Sequence, residues 1–93
     1  MEKELRAEIL VDGKVQGVGF RFFVHRIATN LRLNGFTKNL PTGQVMTIVE
    51  GQKEKIEQLY ESIKVGTSHS FVENYTIFWS ESKNEFNNFE IRI

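Results

Sequence analysis

The chain contains no cysteine and a single proline among its 93 residues. Without cysteine it forms no disulfide bond, no thiolate nucleophile and no cysteine-ligated zinc or iron–sulfur site. Long apolar runs are also missing, because no stretch approaches the ~20 apolar residues that a membrane span requires. The first residues, Met1 to Leu5, lack the apolar stretch of a secretory signal. We therefore expect a cytoplasmic protein with no membrane partner.

An excess of charge of one sign is missing as well. Twelve basic residues balance twelve acidic ones, and 40% of the chain is hydrophobic. This composition is typical of an ordinary soluble globule and argues against a disordered segment or a strongly basic nucleic-acid binder. The length predicts a single domain over residues 1–93, which is large enough for one core.

Apolar residues recur with the two periods that distinguish strands from helices. Strict alternation predicts a first strand that buries Leu5, Ala7, Ile9 and Val11. A helical period predicts one helix over residues 21–33, with Gly35 suited to its end, and a second helix around residues 56–63. Alternation and turn residues predict further strands over residues 36–39, 44–50, 71–80 and 89–93.

The predicted order of elements is βαββαβ plus one terminal strand. Each βαβ unit needs a right-handed crossover, so both helices are expected on one face of a mostly antiparallel sheet. The sequence therefore predicts an α+β, ferredoxin-like sandwich in which the first and second strands flank the third. The last strand is predicted at a sheet edge, which leaves dimerisation open, although we expect a monomer.

Three glycines and an arginine lie between the first strand and the first helix: Gly13, Gly17, Gly19 and Arg21. Glycine lets the backbone turn its N–H groups inward, and a helix N-terminus adds unpaired donors and partial positive charge. A cation is unfavourable at a helix start, so Arg21 indicates an anion that its guanidinium pairs. We interpret the run as a phosphate site, although the glycines alone fit a simple turn equally well.

Other candidate residues carry weaker signals. His25 and His69 have no third ligand at metal spacing, so we interpret them as surface histidines or neighbours of the site rather than as metal ligands or bases. Asn39 stands beside a predicted turn and fits turn chemistry by itself. The phenylalanines of the first helix, which are Phe20, Phe22 and Phe23, are interpreted as packing residues.

Two motifs resemble the signatures of the acylphosphatase family, whose members hydrolyse carboxyl–phosphate mixed anhydrides. One is VDGKVQGVGFR over residues 11–21, and the other is GFTKN over residues 35–39, followed by Gly43, Val45 and Gly51. The resemblance spans nearly the whole chain. It departs at Thr37, where the family prefers a small apolar residue or cysteine, and over residues 67–70, where the family has a proline-bearing turn.

The resemblance implies catalytic roles for two side chains. Arg21 is implied to be the essential cation, and Asn39 is implied to position the attacking water. The resemblance also implies that the phosphate is bound by six consecutive residues, which are Gln16, Gly17, Val18, Gly19, Phe20 and Arg21.

The implied substrate explains why so few reactive groups suffice. An acyl phosphate releases a carboxylate that is stable as an anion, so positioning and charge stabilisation are the main requirements. We therefore expect hydrolysis of small acyl phosphates to a carboxylate and inorganic phosphate by in-line attack of water. We expect no metal and no cofactor, and we expect inorganic phosphate to act as product and competitive inhibitor.

Two other functions compete with this hypothesis. One is a non-catalytic module that binds phosphate or acyl phosphate on the same fold, and the presence of both Arg21 and Asn39 argues against it. The other is an RNA-binding ferredoxin-like domain, which needs exposed aromatic residues on its third strand. The third strand offers Val45, Thr47 and Val49 instead, so we expect no nucleic-acid partner.

Overall fold

Five strands and two helices form within residues 3–93. The computed structural model describes residues 3–93, so the first two residues of the predicted domain, Met1 and Glu2, lie outside the described part. The elements in chain order are β1 (Glu4–Lys14), α1 (Phe20–Asn30), β2 (Asn34–Asn39), β3 (Val45–Gln52), α2 (Lys53–Val65), β4 (Phe71–Glu81) and β5 (Phe89–Arg92). Over residues 3–93, neither helix has the length and apolar character needed to cross a lipid bilayer.

All five strands belong to one sheet, in the order β4, β1, β3, β2, β5. β1 pairs antiparallel with both β3 and β4, and β2 pairs antiparallel with β3. β2 and β5 run parallel, which makes the sheet mixed. The predicted α+β ferredoxin-like fold is confirmed, including the placement of β1 and β2 on either side of β3 and of β5 at an edge.

The core lies between one face of this sheet and the two helices. Alternate residues of the strands meet one stripe of each helix there, and the most deeply buried of them are Ala7, Ile9, Val11, Phe20, Val24, Ala28, Val45, Val49, Ile56, Leu59 and Ile63. Burying each larger apolar side chain stabilises the fold by roughly 1.5–3 kcal/mol. The alternation and the helical period seen in the sequence therefore correspond to the two sides of a single core.

Helix α1 ends at Asn30, earlier than the apolar period predicts. Arg32 adopts a positive φ of 59°. Its N–H donates to the carbonyl of Thr29 (3.0 Å), and the N–H of Leu33 donates to the carbonyl of Ala28 (2.9 Å). These two bonds close the helix as a Schellman turn. The prediction that Gly35 ends the helix is therefore wrong.

Candidate active site

A cavity of about 240 Å³ lies where β1 leads into α1 and where β2 ends. Its lining residues are Val15, Gly17, Gly19, Phe20, Arg21, Phe22, Asn39 and Ile91. Val45 of β3 pairs with Val11 on one side and with Asn39 on the other, so the carboxyl ends of β1 and β2 meet at the same end of the sheet. Arg21 and Asn39 thereby come to line one common cavity.

Gly13 does not line this cavity, although it belongs to the glycine-rich run. It lies within β1 with a φ of 116°, next to the point where the pairing of β1 with β4 shifts register. A Cβ at this position would meet the backbones of Phe71 and Glu73. The bulge therefore requires glycine, and Gly13 serves the sheet rather than the cavity.

Helix α1 begins beside the cavity without a side chain that caps it. Gly19 occupies the N-cap position with left-handed dihedral angles (φ 75°, ψ 18°), and the first turn contains no acidic residue. Helix α2, by contrast, carries Glu54 in its first turn. The first N–H groups of a helix have no intrahelical acceptor and bear partial positive charge. The start of α1 therefore offers N–H donors and positive potential to an anion in the cavity.

The guanidinium of Arg21 is held by the last strand. Its Nη1 donates to the backbone carbonyl of Arg92 over 2.8 Å. Arg92 ends β5 and lies opposite Lys38 of β2, next to Asn39 in the chain. A guanidinium has five N–H donors, so this single bond leaves most of them for a ligand. Within residues 3–93, no carboxylate forms an ion pair with Arg21.

The carboxamide of Asn39 presents an unpaired acceptor at the end of β2. Its Oδ1 atom is buried and accepts no hydrogen bond from any group of the part of the chain that the structure describes. Leaving a buried acceptor without a donor costs about 1–3 kcal/mol. Native structures contain few such atoms, so each one calls for a specific explanation. Asn39 lines the cavity, and rotation of its carboxamide is the movement that would bring this buried atom to a donor there.

Four of the six loop residues that the resemblance implies as phosphate ligands line the cavity, and Gln16 and Val18 do not. Nε2 of Gln16 donates to the carbonyls of Leu40 (2.9 Å) and Gln44 (2.8 Å), which ties the loop to the turn between β2 and β3. Val18 packs against the hydrophobic core. The side chain of Gln16 therefore fixes the position of the loop relative to Asn39.

Four further residues contribute to the site beyond those that the sequence predicts, which are Val15, Phe22, Ile91 and Arg92. Phe22, interpreted from the sequence as a packing residue, is 70% exposed and lines the cavity together with Ile91. The helical period contained a signal for this position, because Phe22 falls outside the stripe that buries Phe20 and Val24. The carbonyl of Arg92 carried no such signal, since a backbone acceptor has no sequence signature.

The histidines stand outside the cavity lining. His25 packs its ring between those of Phe22 and Phe89, at centroid distances of 6.5 Å and 6.1 Å. His69 is exposed in the loop between α2 and β4. Among residues 3–93, no three histidine, aspartate or glutamate side chains form a cluster that could hold a metal ion.

At both places where the chain departs from the family pattern, Thr37 and residues 67–70, polar groups form local hydrogen bonds. The hydroxyls of Thr37 and Thr47 pair across β2 and β3 at 3.0 Å in a fully buried position. In the loop after α2, the N–H of Thr67 donates to Oγ of Ser70 (2.8 Å), and that hydroxyl donates back to the carbonyl of Thr67 (3.1 Å). The loop without proline is therefore closed by its own side chains.

Comparison with known proteins identifies the family. The sequence model of the Acylphosphatase family matches residues 7–91. The chain belongs to the acylphosphatase family. The acylphosphatase of Syntrophotalea carbinolica is 37% identical over 91 residues, which covers 98% of this chain and 99% of that relative. Membership makes the chain a hydrolase that acts on acyl phosphates, as the resemblance implies.

Solved acylphosphatase structures share the fold described above. The acylphosphatase from Bacillus subtilis superposes with a TM-score of 0.92 at 36% identity, covering 96% of this chain and 99% of that structure. The acylphosphatase from Coxiella burnetii gives a TM-score of 0.85 at 34% identity, covering 97% and 94%. The family likeness therefore extends over nearly the whole of each chain.

Proposed function

We propose that this chain splits the carboxyl–phosphate bond of small acyl phosphates by in-line attack of water on phosphorus. The proposal rests on one observation above all, the single cavity lined by both Arg21 and Asn39. Arg21 supplies a guanidinium that uses one of its five N–H donors within the protein. Asn39 supplies a buried Oδ1 acceptor that has no donor among the described residues. These are the two groups that phosphoryl transfer to water needs when the leaving group is already stable.

The phosphoryl group lies, in this proposal, in the loop over residues 16–21. Backbone N–H groups of the loop and of the first turn of α1 donate to its oxygens, and the guanidinium of Arg21 pairs with two of them. The uncapped helix start supports this placement, as does the absence of acidic residues from the first turn. As negative charge spreads over the phosphoryl oxygens in the transition state, these fixed donors stabilise it.

Asn39 orients the attacking water. Once the carboxamide has turned toward the cavity, its Oδ1 accepts a hydrogen bond from the water, which leaves a lone pair of the water oxygen facing phosphorus. A carboxamide is too weak a base to remove the proton, so a phosphoryl oxygen of the substrate accepts it. The new bond forms between the water oxygen and phosphorus, and the carboxylate leaves with the electron pair of the broken oxygen–phosphorus bond.

The remaining predictions from the sequence accompany this proposal. The reaction proceeds without a metal or a cofactor, and inorganic phosphate inhibits it as the product. The chain acts as a monomeric single domain in the cytoplasm. These statements are expectations of the proposed chemistry, in which the donors come from the protein itself.

Hydrolysis of acetyl phosphate in ¹⁸O-labelled water tests the proposal. We expect turnover at the same rate with and without a chelator, and we expect one ¹⁸O atom in the phosphate and none in the acetate. Label in the acetate would mean that water attacks the carbonyl carbon, and it would overturn the mechanism. Saturable binding of phosphate without any turnover would identify a binding module instead.

A further inference from the structure

Two exposed apolar side chains line the catalytic cavity, Phe22 of α1 and Ile91 of β5. Phe22 is 70% exposed and Ile91 is 38% exposed, whereas Val15 and Phe20, which also line the cavity, are both 1% exposed. The buried pair forms the floor of the cavity. The exposed pair, which we call the apolar wall, stands where the cavity meets solvent.

The apolar wall flanks the guanidinium of Arg21 from two separate elements. Phe22 follows Arg21 in the first turn of α1. Ile91 precedes Arg92, whose carbonyl accepts the hydrogen bond from Nη1 of Arg21. In the parallel pairing of β2 with β5, Ile91 lies opposite Thr37, which shares a strand face with Asn39. Both residues of the wall therefore lie beside the two groups assigned to catalysis.

The core of the fold makes little use of the ring of Phe22. The stripe of α1 that packs on the sheet is formed by Phe20, Val24 and Ala28. The only aromatic neighbour of Phe22 within residues 3–93 is His25, whose ring centroid lies 6.5 Å away. The ring is thus available to a ligand in the cavity, and its replacement leaves the buried core intact.

The two kinds of lining correspond to the two halves of an acyl phosphate. The N–H groups at the start of α1 and the guanidinium of Arg21 suit the phosphoryl half, which carries the charge. The apolar wall offers no hydrogen-bonding side chain and suits a hydrocarbon. Because a single bridging oxygen separates the acyl carbon from phosphorus, the acyl substituent must lie directly beside the phosphoryl group.

We propose that Phe22 and Ile91 form an acyl subsite that selects acyl phosphates with an apolar, especially aromatic, acyl group. This inference rests on the proposed function, because it assumes that the phosphoryl group occupies the loop beside Arg21. An aromatic acyl group gains most, since its ring packs edge-to-face or offset against that of Phe22. A short acyl group such as acetyl has only a methyl group to pack against the apolar wall, so it gains little.

The test compares kcat/KM for benzoyl phosphate with kcat/KM for acetyl phosphate. We expect the ratio to favour benzoyl phosphate in the unmodified protein and to fall about tenfold in Phe22→Ala, which is the scale of one lost aromatic contact. Phe22→Leu, which keeps an apolar side chain, should give an intermediate ratio. The matched control is Phe78→Ala on the opposite face of the sheet, because Phe78 is 64% exposed and does not line the cavity.

Inhibition by inorganic phosphate separates the acyl subsite from the phosphate site. The inhibition constant should stay within about twofold in Phe22→Ala, as for a surface substitution that leaves the donors in place. An unchanged ratio in Phe22→Ala would overturn the subsite, and so would equal losses on both substrates with weakened phosphate inhibition. Absence of turnover on both substrates in the unmodified protein would instead overturn the proposed function.

Discussion

Glu50, which is buried, and Asn39, which is partly buried, lie at opposite ends of the β2–β3 hairpin and differ in how their polar atoms are paired. Glu50, at the open end, accepts hydrogen bonds from the N–H groups of Lys83 (2.6 Å) and Glu85 (3.1 Å) and pairs with Arg6 at 3.2 Å. Asn39, at the turn end, holds a buried Oδ1 that accepts nothing from residues 3–93. The polar group at the Glu50 end is paired within the protein, and the acceptor at the Asn39 end has no donor among the described residues.

The electrostatics of Glu50 follow from its partners. Burial raises the pKa of its carboxyl, but the hydrogen bonds from the N–H groups of Lys83 and Glu85 and from Arg6 outweigh burial and hold the pKa below its ordinary value. The charged form is therefore stabilised by the loop that precedes β5. The contacts of Glu50 stabilise the fold, whereas the proposed role of Asn39 is in the reaction.

The largest expected loss of activity is that of Arg21→Lys, in the cavity beside the Asn39 end of the hairpin. We expect kcat/KM to fall by about a thousandfold, because a point charge replaces a planar fork that pairs two phosphoryl oxygens. Steady-state hydrolysis of benzoyl phosphate measures the loss, and thermal unfolding checks that the variant is folded. A variant that keeps more than a tenth of the activity would remove Arg21 from the centre of the mechanism.

Asn39→Ala is expected to lower kcat without lowering the free energy of unfolding. The value of kcat should fall about 100-fold, which is the scale of losing one positioned group, while phosphate inhibition changes little. The free energy of unfolding should not decrease, since the substitution removes a buried acceptor that has no donor. Asn34→Ala, at the other end of β2, is the matched control and should retain activity. Loss of phosphate binding at an unchanged rate would reverse the roles assigned to Asn39 and the loop.

Glu50→Ala is expected to show the opposite pattern. It leaves the backbone N–H groups of Lys83 and Glu85 without their acceptor and leaves Arg6 with Glu85 as its remaining carboxylate partner. The free energy of unfolding should therefore fall by about 3 kcal/mol. The value of kcat should change less than in Asn39→Ala. Denaturant unfolding measures the difference, with Glu57→Ala on the exposed face of α2 as control. An activity loss as large as that of Asn39→Ala, without destabilisation, would contradict the division between the two ends.

The carboxylate of Glu50 is also expected to make the free energy of unfolding depend on pH, which is a smaller effect. A folded-state pKa below the ordinary value of 4.5 means that Glu50 contributes stability at pH values above 4.5, and that this contribution is lost as pH falls through the lowered folded pKa. The stability difference between the unmodified protein and Glu50→Ala should therefore narrow below pH 4.5. Unfolding measured from neutral to acidic pH checks this, and a difference that widens in acid would be inconsistent with the lowered pKa.

The fold could be predicted from the sequence because each element buries one regular face. The core consists of the residues that alternate in β1, such as Ala7, Ile9 and Val11, and of those that recur with the helical period in α1 and α2. Connection rules then fix the order of the strands. The signature residues Arg21 and Asn39 share a cavity because strand order alone places the ends of β1 and β2 together.

Features that rest on backbone geometry or on distant contacts could not be predicted in the same way. Arg32 ends α1 with a positive φ. An arginine in the sequence does not predict this conformation, which is usual for glycine. The contact between Arg21 and the carbonyl of Arg92 joins residues 71 positions apart. The partners of Glu50 come from a loop whose docking depends on the finished sheet.

Titration with inorganic phosphate, followed by the NMR signals of backbone and side-chain amides, tests most directly whether the loop over residues 16–21 binds phosphate in the cavity that it shares with Asn39. We predict that the amides of Gly17, Gly19 and Arg21 and the side-chain amide of Asn39 shift together, with a dissociation constant equal to the inhibition constant of phosphate. Inhibition by phosphate while these four signals stay fixed, with shifts elsewhere on the molecule, would contradict the shared cavity as the catalytic site.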